Sequence, residues 1–336
     1  MEMKRILIVD DDRSNILIIK TVLAGEGYEF AEAEDGEEAL NLHRAAPFDM
    51  VITDWMMPVM DGVTLTTRLR VERLGTPVII LITSLGIEGA KERAMMCGAD
   101  IFIQKPLIPQ AVKKAVRDGF QRQEQGRLKI TLPPGLSATG NPLPFAAVGI
   151  AAGTGGPAAI VELLRNLTID QRAVYLIVQH GPDWMIETLA QNIAGIVPGG
   201  ITIPTNNMKI IPGRVYLAPG DAHLLIDGEN HVFKLDDSPH VNFVRPSADV
   251  TFNSMSEVFG IKAIGVVLTG MGCDGSEGAT RIRSAGGIAI AQDPDEAPVP
   301  SMPQSLIEID PVIKSCRINE IGDKVERRLR ELSPIA

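Results

Sequence analysis

Short apolar runs that end in a charged or polar residue, each followed by an amphipathic stretch, govern what this chain can fold into. In residues 1–122 the runs are RILIVD, YEFAEA, MVITD, VIILIT and IFIQK, with helix-like stretches such as SNILIIKTVLAGEG and EEALNLHRAAP between them. Strands joined by helical crossovers run parallel, and the helices then cover both faces of the sheet. From Phe145 the alternation resumes with AAVGIAA, AVYLIVQ, RVYLAP, AIGVVLT and GIAIAQ. The stretch HLLIDGENHVFKL departs from it and predicts a hairpin about DGEN. Between the halves, QRQEQGRLKITLPPGLSATGNPLP is polar, then rich in Pro, Gly and Ser, and has no period. It reads as a linker. The expectation is an α/β protein of two doubly wound parallel-sheet domains, residues 1–122 and 145–336, joined by a linker over 123–144.

A chain of 336 residues with 45% apolar content can bury two cores. Its net charge of −10 argues against nucleic acid or an anionic membrane surface as the main partner. No apolar run approaches the ~18 residues that span a bilayer, so no membrane insertion is expected. The start MEMKRILIVDDD turns acidic where a signal peptide stays apolar. Cys97, Cys273 and Cys316 lie far apart without CxxC spacing, which suits a reducing cytoplasm.

Open α/β sheets place their sites at the carboxyl ends of the strands. There the first half carries Asp10-Asp11-Asp12 after strand one, Asp54 after strand three, Thr83-Ser84 after strand four and Lys105-Pro106 after strand five. One of the three leading aspartates is expected to cap the next helix. Several carboxylates at one sheet edge repel one another unless a cation joins them, and a hard divalent ion such as Mg²⁺ fits that need. A carboxylate beside the ion can attack a phosphoryl group, with Lys105 stabilising charge on the transferred oxygens.

The segments ILIVDDD, TDWMMPVMDG, LITS and QKP resemble the flavodoxin-like receiver domain of two-component response regulators over residues 4–120. The resemblance implies Asp54 as the phosphorylated residue and Asp10 and Asp11 as acids of the Mg²⁺ site. It adds the Met56 carbonyl as a further ligand, Thr83 and Lys105 as contacts of the phosphoryl group, and Phe102 as the switch aromatic.

In the second half, GIAAGTGGP reads as strand, glycine turn and helix, a geometry that aims backbone N–H groups at a ligand. A P-loop requires Lys-Ser/Thr after its last glycine, and Pro157 follows Gly156. Gly149, Gly153 and Gly155 match a dehydrogenase-like spacing, but the next strand ends in His180 rather than in an acid for the ribose. A plain tight turn also fits these glycines. A third reading joins distant residues: His180 after IVQ, Asp274 within LTGMGCDGSEG, and the segments RVYLAPGDAHLLI and RPSADVTF. A histidine and an aspartate at strand ends near this turn make two-thirds of a Ser-His-Asp triad.

Together these segments resemble, from 145 to 332, the Rossmann-like catalytic domain of the chemotaxis protein-glutamate methylesterases, the CheB family. A receiver joined to such a domain is that family's architecture. The resemblance implies removal of methyl groups from receptor glutamates as methanol, and in many members deamidation of glutamines. It implies a chemotaxis-type histidine kinase as phosphodonor, the cytoplasmic helices of methyl-accepting chemoreceptors as substrate, and no cofactor in the second domain. His180 becomes the general base, Asp274 its orienting partner, the backbone of Met271 part of the oxyanion hole, and Thr154 a lining residue of the nucleophile turn. Phosphorylation at Asp54 would then relieve the receiver's blockage of the catalytic face.

One position departs from the pattern. The family reads Ala-Ser-Thr-Gly-Gly with the serine as nucleophile, whereas this chain reads Ala152-Gly153-Thr154-Gly155-Gly156. Thr154 offers a hydroxyl, but the next position on a tight turn points elsewhere, and Cys273 is the nearest thiol in sequence to Asp274. Two expectations stand: a phosphorylation-controlled esterase, or a catalytically impaired homologue acting as a regulatory binding module or phosphate sink.

Overall fold

The computed structural model describes residues 3–71, 75–83, 94–95, 97–125 and 143–332. Its two compact units are Met1–Pro134 and Gly135–Ala336. Most of the expected linker, and Ser84, lie outside the described residues.

The first unit is a five-stranded sheet of β1 (Lys4–Val9), β2 (Tyr28–Ala33), β3 (Met50–Asp54), β4 (Val78–Thr83) and β5 (Ile101–Gln104). The order is β2-β1-β3-β4-β5 and every pairing is parallel. All six residues of VIILIT are buried, as a strand covered on both faces requires. Described helices are α1 (Arg13–Leu23), α2 (Gly36–Ala45), α3 (Gly62–Val71) and α4 (Pro109–Glu124), the last running past residue 122. The Asp12 side chain accepts the Ser14 N–H at 2.8 Å and caps α1, so one leading aspartate is a cap as expected. Strand order reverses between β1 and β3, which opens a crevice beyond Val9 and Asp54.

The second unit is built on β6 (Ala146–Ala152), β7 (Ala173–Gln179), β8 (Ile201–Thr202), β9 (Val215–Leu217), the hairpin strands β10 (His223–Asp227) and β11 (Val232–Asp236), then β12 (Ala263–Val267), β13 (Ile288–Gln292) and β14 (Ser315–Cys316). Seven strands form a parallel sheet in the order β14-β13-β12-β6-β7-β9-β8, and β10-β11 stand apart as the predicted antiparallel hairpin. The helices are α5 (Gly156–Arg165), α6 (Asp183–Ala194), α7 (Ala248–Phe259), α8 (Ser276–Ser284), α9 (Ser301–Ile309) and α10 (Ile318–Leu332). Side chains of β6 alternate between the sheet's two faces. Ala146, Val148, Ile150 and Ala152 join one core, and Ala147 and Ala151 join the other. At Gly149 a Cβ would come within 2.5 Å of the Phe252 ring, so glycine is what lets α7 lie close on the sheet. Strand order reverses between β6 and β12, and the turns after both strands face one crevice.

Candidate functional site

In the first unit the backbone delivers Asp10, Asp54 and Lys105 to one sheet edge. Lys105 Nζ lies 2.6 Å from Asp54 Oδ1 and 3.4 Å from Asp10 Oδ2. Both acids are buried. Burial pushes the Asp54 carboxyl up; Lys105 and the Met56 N–H, which donates to Oδ2 at 2.7 Å, offset this only in part, and Asp10 adds repulsion. Burial alone would lower the Lys105 ammonium, but Asp54 and Asp10 outweigh it and hold the pKa above its ordinary value. Asp54 Oδ1 makes no well-directed hydrogen bond despite the nearby charge. Thr83 is buried at the end of β4, where its carbonyl accepts the Lys105 N–H at 2.7 Å, and Phe102 is half-buried on β5.

Asp11 is exposed, and among the described residues no three His, Cys, Asp or Glu converge as a metal cluster. Asp11 follows Asp10 just beyond β1, and Lys105 bridges the two buried acids. The donors present are hard oxygens, and one of them, Asp54 Oδ1, is buried without a hydrogen bond. That set suits a small divalent ion that keeps several waters.

In the second unit three strand ends meet. The Gly153 N–H donates to the Thr269 carbonyl at 2.9 Å, and the His180 N–H donates to the Ala152 carbonyl at 2.9 Å. Gln179 Nε2 ties the two turns by donating to the carbonyls of Gly153 and His180, each at 2.9 Å. His180 Nε2 stands 2.7 Å from Asp274 Oδ2. A carboxylate there accepts the Nε2 proton, which leaves the lone pair of a neutral ring on Nδ1. A Cβ placed on Gly153 would lie 3.2 Å from that Nδ1, 3.1 Å from Gly270 Cα and 3.4 Å from Met302 Sδ. The ring thus presents its free nitrogen to position 153, in the opposite sense to a chymotrypsin-type triad.

Asp274 sits in a cradle that the sequence did not announce. Ser247 Oγ donates to Oδ1 at 2.6 Å, the Ala248 N–H to Oδ2 at 2.6 Å and the Asp249 N–H to Oδ1 at 3.3 Å. The N-terminus of α7 therefore holds the carboxylate through backbone donors and the helix dipole. Burial pushes Asp274 up, but His180, Ser247 and Ala248 outweigh it and hold the carboxyl below its ordinary range. Asn242 Nδ2 donates to Asp249 Oδ2 at 2.6 Å and to Asp274 Oδ1 at 3.4 Å. Burial, with Asp274 and Glu277 nearby, pushes Asp249 up to about 6 despite the Gly278 N–H and Asn242 that favour its charge. The hint in RPSADVTF was a serine one residue ahead of a helix start.

The remaining expected residues fall as follows. Thr154 is exposed on the turn, and among the described residues no hydrogen bond joins it to His180. Met271 is exposed beside Gly270, and its N–H has no partner among the described residues. Burial pushes the Cys273 thiol up, and Asp249, Asp274 and Glu277 push it further, which keeps it from being a ready thiolate.

Comparison with known proteins agrees with this geometry. A family model for CheB methylesterase matches residues 148–325, and one for the response regulator receiver domain matches residues 6–117. A protein-glutamate methylesterase/protein-glutamine glutaminase of Archaeoglobus fulgidus is 32% identical over 343 residues, covering 97% of this chain and 98% of the relative. A protein of the same name, numbered 2, from Caulobacter vibrioides is 32% identical and covers 98% of this chain and 100% of the relative. The solved CheB methylesterase catalytic domain of Thermotoga maritima is 33% identical with a TM-score of 0.52, covering 55% of this chain and 98% of that one.

Proposed function

The chain belongs to the CheB methylesterase family and carries a response regulator receiver domain ahead of the catalytic fold, and from that premise we propose that it is a chemotaxis response regulator whose second unit binds esterified glutamyl side chains of chemoreceptors but hydrolyses them far below the rate a serine would give. The observation that carries this reading is the 3.2 Å between His180 Nδ1 and the place where a side chain at 153 would begin, a place that glycine leaves without oxygen.

The first unit takes its phosphoryl group from a kinase on Asp54. Asp10 and Asp54, with the Met56 carbonyl and Asp11, would hold the divalent ion, which supplies positive charge for the transferred oxygens. Lys105 steadies the same oxygens, and Thr83 and Phe102 relay the change. In the second unit Asp274 fixes the tautomer of His180, and the Met271 N–H faces the carbonyl oxygen of the ester. Without a serine, water must attack directly. Its proton passes to His180 Nδ1 and on to the departing methoxide, giving methanol and a free carboxylate. Loss of the nucleophile in a serine hydrolase costs on the order of a millionfold in turnover.

The test is methanol release from a methylated chemoreceptor fragment by the chain phosphorylated with acetyl phosphate. The chain as it stands should release almost none. Gly153→Ser should raise release by several orders of magnitude, because the Cβ contacts of 3.1 and 3.2 Å need shifts of only a few tenths of an ångström. Asp54→Asn should abolish labelling by the phosphodonor. Turnover by the glycine form equal to that of Gly153→Ser would overturn the proposal.

A further inference from the structure

Four large apolar side chains of the second unit are exposed among the described residues: Trp184 (70%), Ile211 (51%), Phe243 (98%) and Met271 (74%). Three of them lie within a few residues, in sequence, of groups that form the crevice. Met271 follows Gly270, whose Cα is 3.1 Å from where a side chain at 153 would start. Trp184 is the second residue of α6, four residues after His180. Phe243 adjoins Asn242, which donates to Asp249 and Asp274.

The backbone at Phe243 is the unusual part. Val241 and Val244 exchange N–H···O bonds of 3.1 and 3.0 Å, closing a two-residue turn. Its central residues, Asn242 and Phe243, have φ of +51° and +66°. Asparagine tolerates that region and anchors this turn to the carboxylates; a bulky aromatic does not favour it. Glycine at 243 would relieve the strain at no cost in packing, since the ring is buried against nothing. Strain kept for a fully exposed aromatic, on a turn hydrogen-bonded to Asp274, points to a partner for that ring.

We propose that Phe243 is the apolar anchor of a docking surface for an amphipathic helix, seating an apolar side chain of the partner one turn from the esterified glutamyl group that approaches His180, with Trp184 and Met271 at the rim. The inference rests on the reading that the crevice takes such an ester. A helix fits because a glutamyl ester carried on one presents its i+3 and i+4 neighbours on the same face, and those neighbours must meet the surface beside Asp274.

The experiment is calorimetric titration of the full chain, phosphorylated with acetyl phosphate, with a helical peptide bearing one glutamyl γ-methyl ester and a leucine four residues on. Phe243→Gly should raise Tm, by removing the strained φ, and weaken binding by about tenfold or more. Phe243→Ala should weaken binding similarly without the gain in Tm. A peptide with serine for that leucine should bind the unchanged protein as weakly, and Phe243→Gly should cost it little more. Firm binding of the ester peptide by the unchanged protein, with affinity unmoved by Phe243→Gly, would overturn the role of Phe243 alone. No binding of the ester peptide by either the unchanged protein or Gly153→Ser would overturn the ester reading and this inference with it. A Phe243→Gly effect on sedimentation in place of affinity would assign the ring to a second copy of the chain and also overturn the proposal.

Discussion

At the scale of the residue, the second unit turns on what one hydrogen in place of a hydroxymethyl group removes. On the proposed reading His180 and Asp274 stand as a base and its partner, 2.7 Å apart, and Gly153 is where an attacking oxygen is lacking. Asp249 carries a consequence of its own. Its folded-state carboxyl is raised from 3.8 to about 6, so between these values the folded chain keeps a proton that the unfolded chain has released. The unfolded state then binds fewer protons, and stability falls as pH rises from about 4 to 6. This single group contributes at most about 3 kcal/mol of that slope. Asp249→Asn should flatten the urea midpoint across that window and leave the change below pH 4 as it was; an unaltered slope would show that another group sets it.

At the scale of the element, the parts that build the two sites differ in how legible they are. Strand ends gave the positions of Asp54, Lys105 and His180, because residues that close a parallel strand or follow it line the sheet's carboxyl edge, whereas Asp274 comes seven residues after β12, in the turn before α8. The hairpin about DGEN was legible for the same reason of period. The N-terminus of α7 was not, since its contribution is made by the backbone N–H groups of Ala248 and Asp249, which leave no letter in the sequence. The two-residue strands β8 and β14 are too short to show a period. Nor does sequence reveal that Lys105 bridges Asp10 and Asp54 while Asp11 stays exposed. Helices α8 and α9 bear the walls of the crevice and are clamped by Arg283, whose Nε and Nη2 donate to Asp310 at 2.6 and 3.0 Å. Both side chains are buried, so Asp310→Ala takes the carboxylate from a buried guanidinium and should cost about 3–5 kcal/mol by chemical denaturation. A cost below about 1 kcal/mol would mean that water reaches the arginine.

At the scale of the whole molecule, two parallel sheets carry two kinds of chemistry at the same topological place, the point where strand order reverses. The first sheet gathers acids and a lysine there, and the second gathers a base, its carboxylate and a glycine turn. No helix among the described residues is long and apolar enough to cross a membrane. The chain has two tryptophans, and they divide between the units: Trp55, 2% exposed, follows Asp54, and Trp184, 70% exposed, lies in the first turn of α6. An indole shut away from water emits to the blue of one in water, so each unit carries its own optical reporter, separable by wavelength in unlabelled protein. Acetyl phosphate should perturb the blue component first, and a receptor-like helix should shift the red one. Trp184→Phe should erase the second response and spare the first.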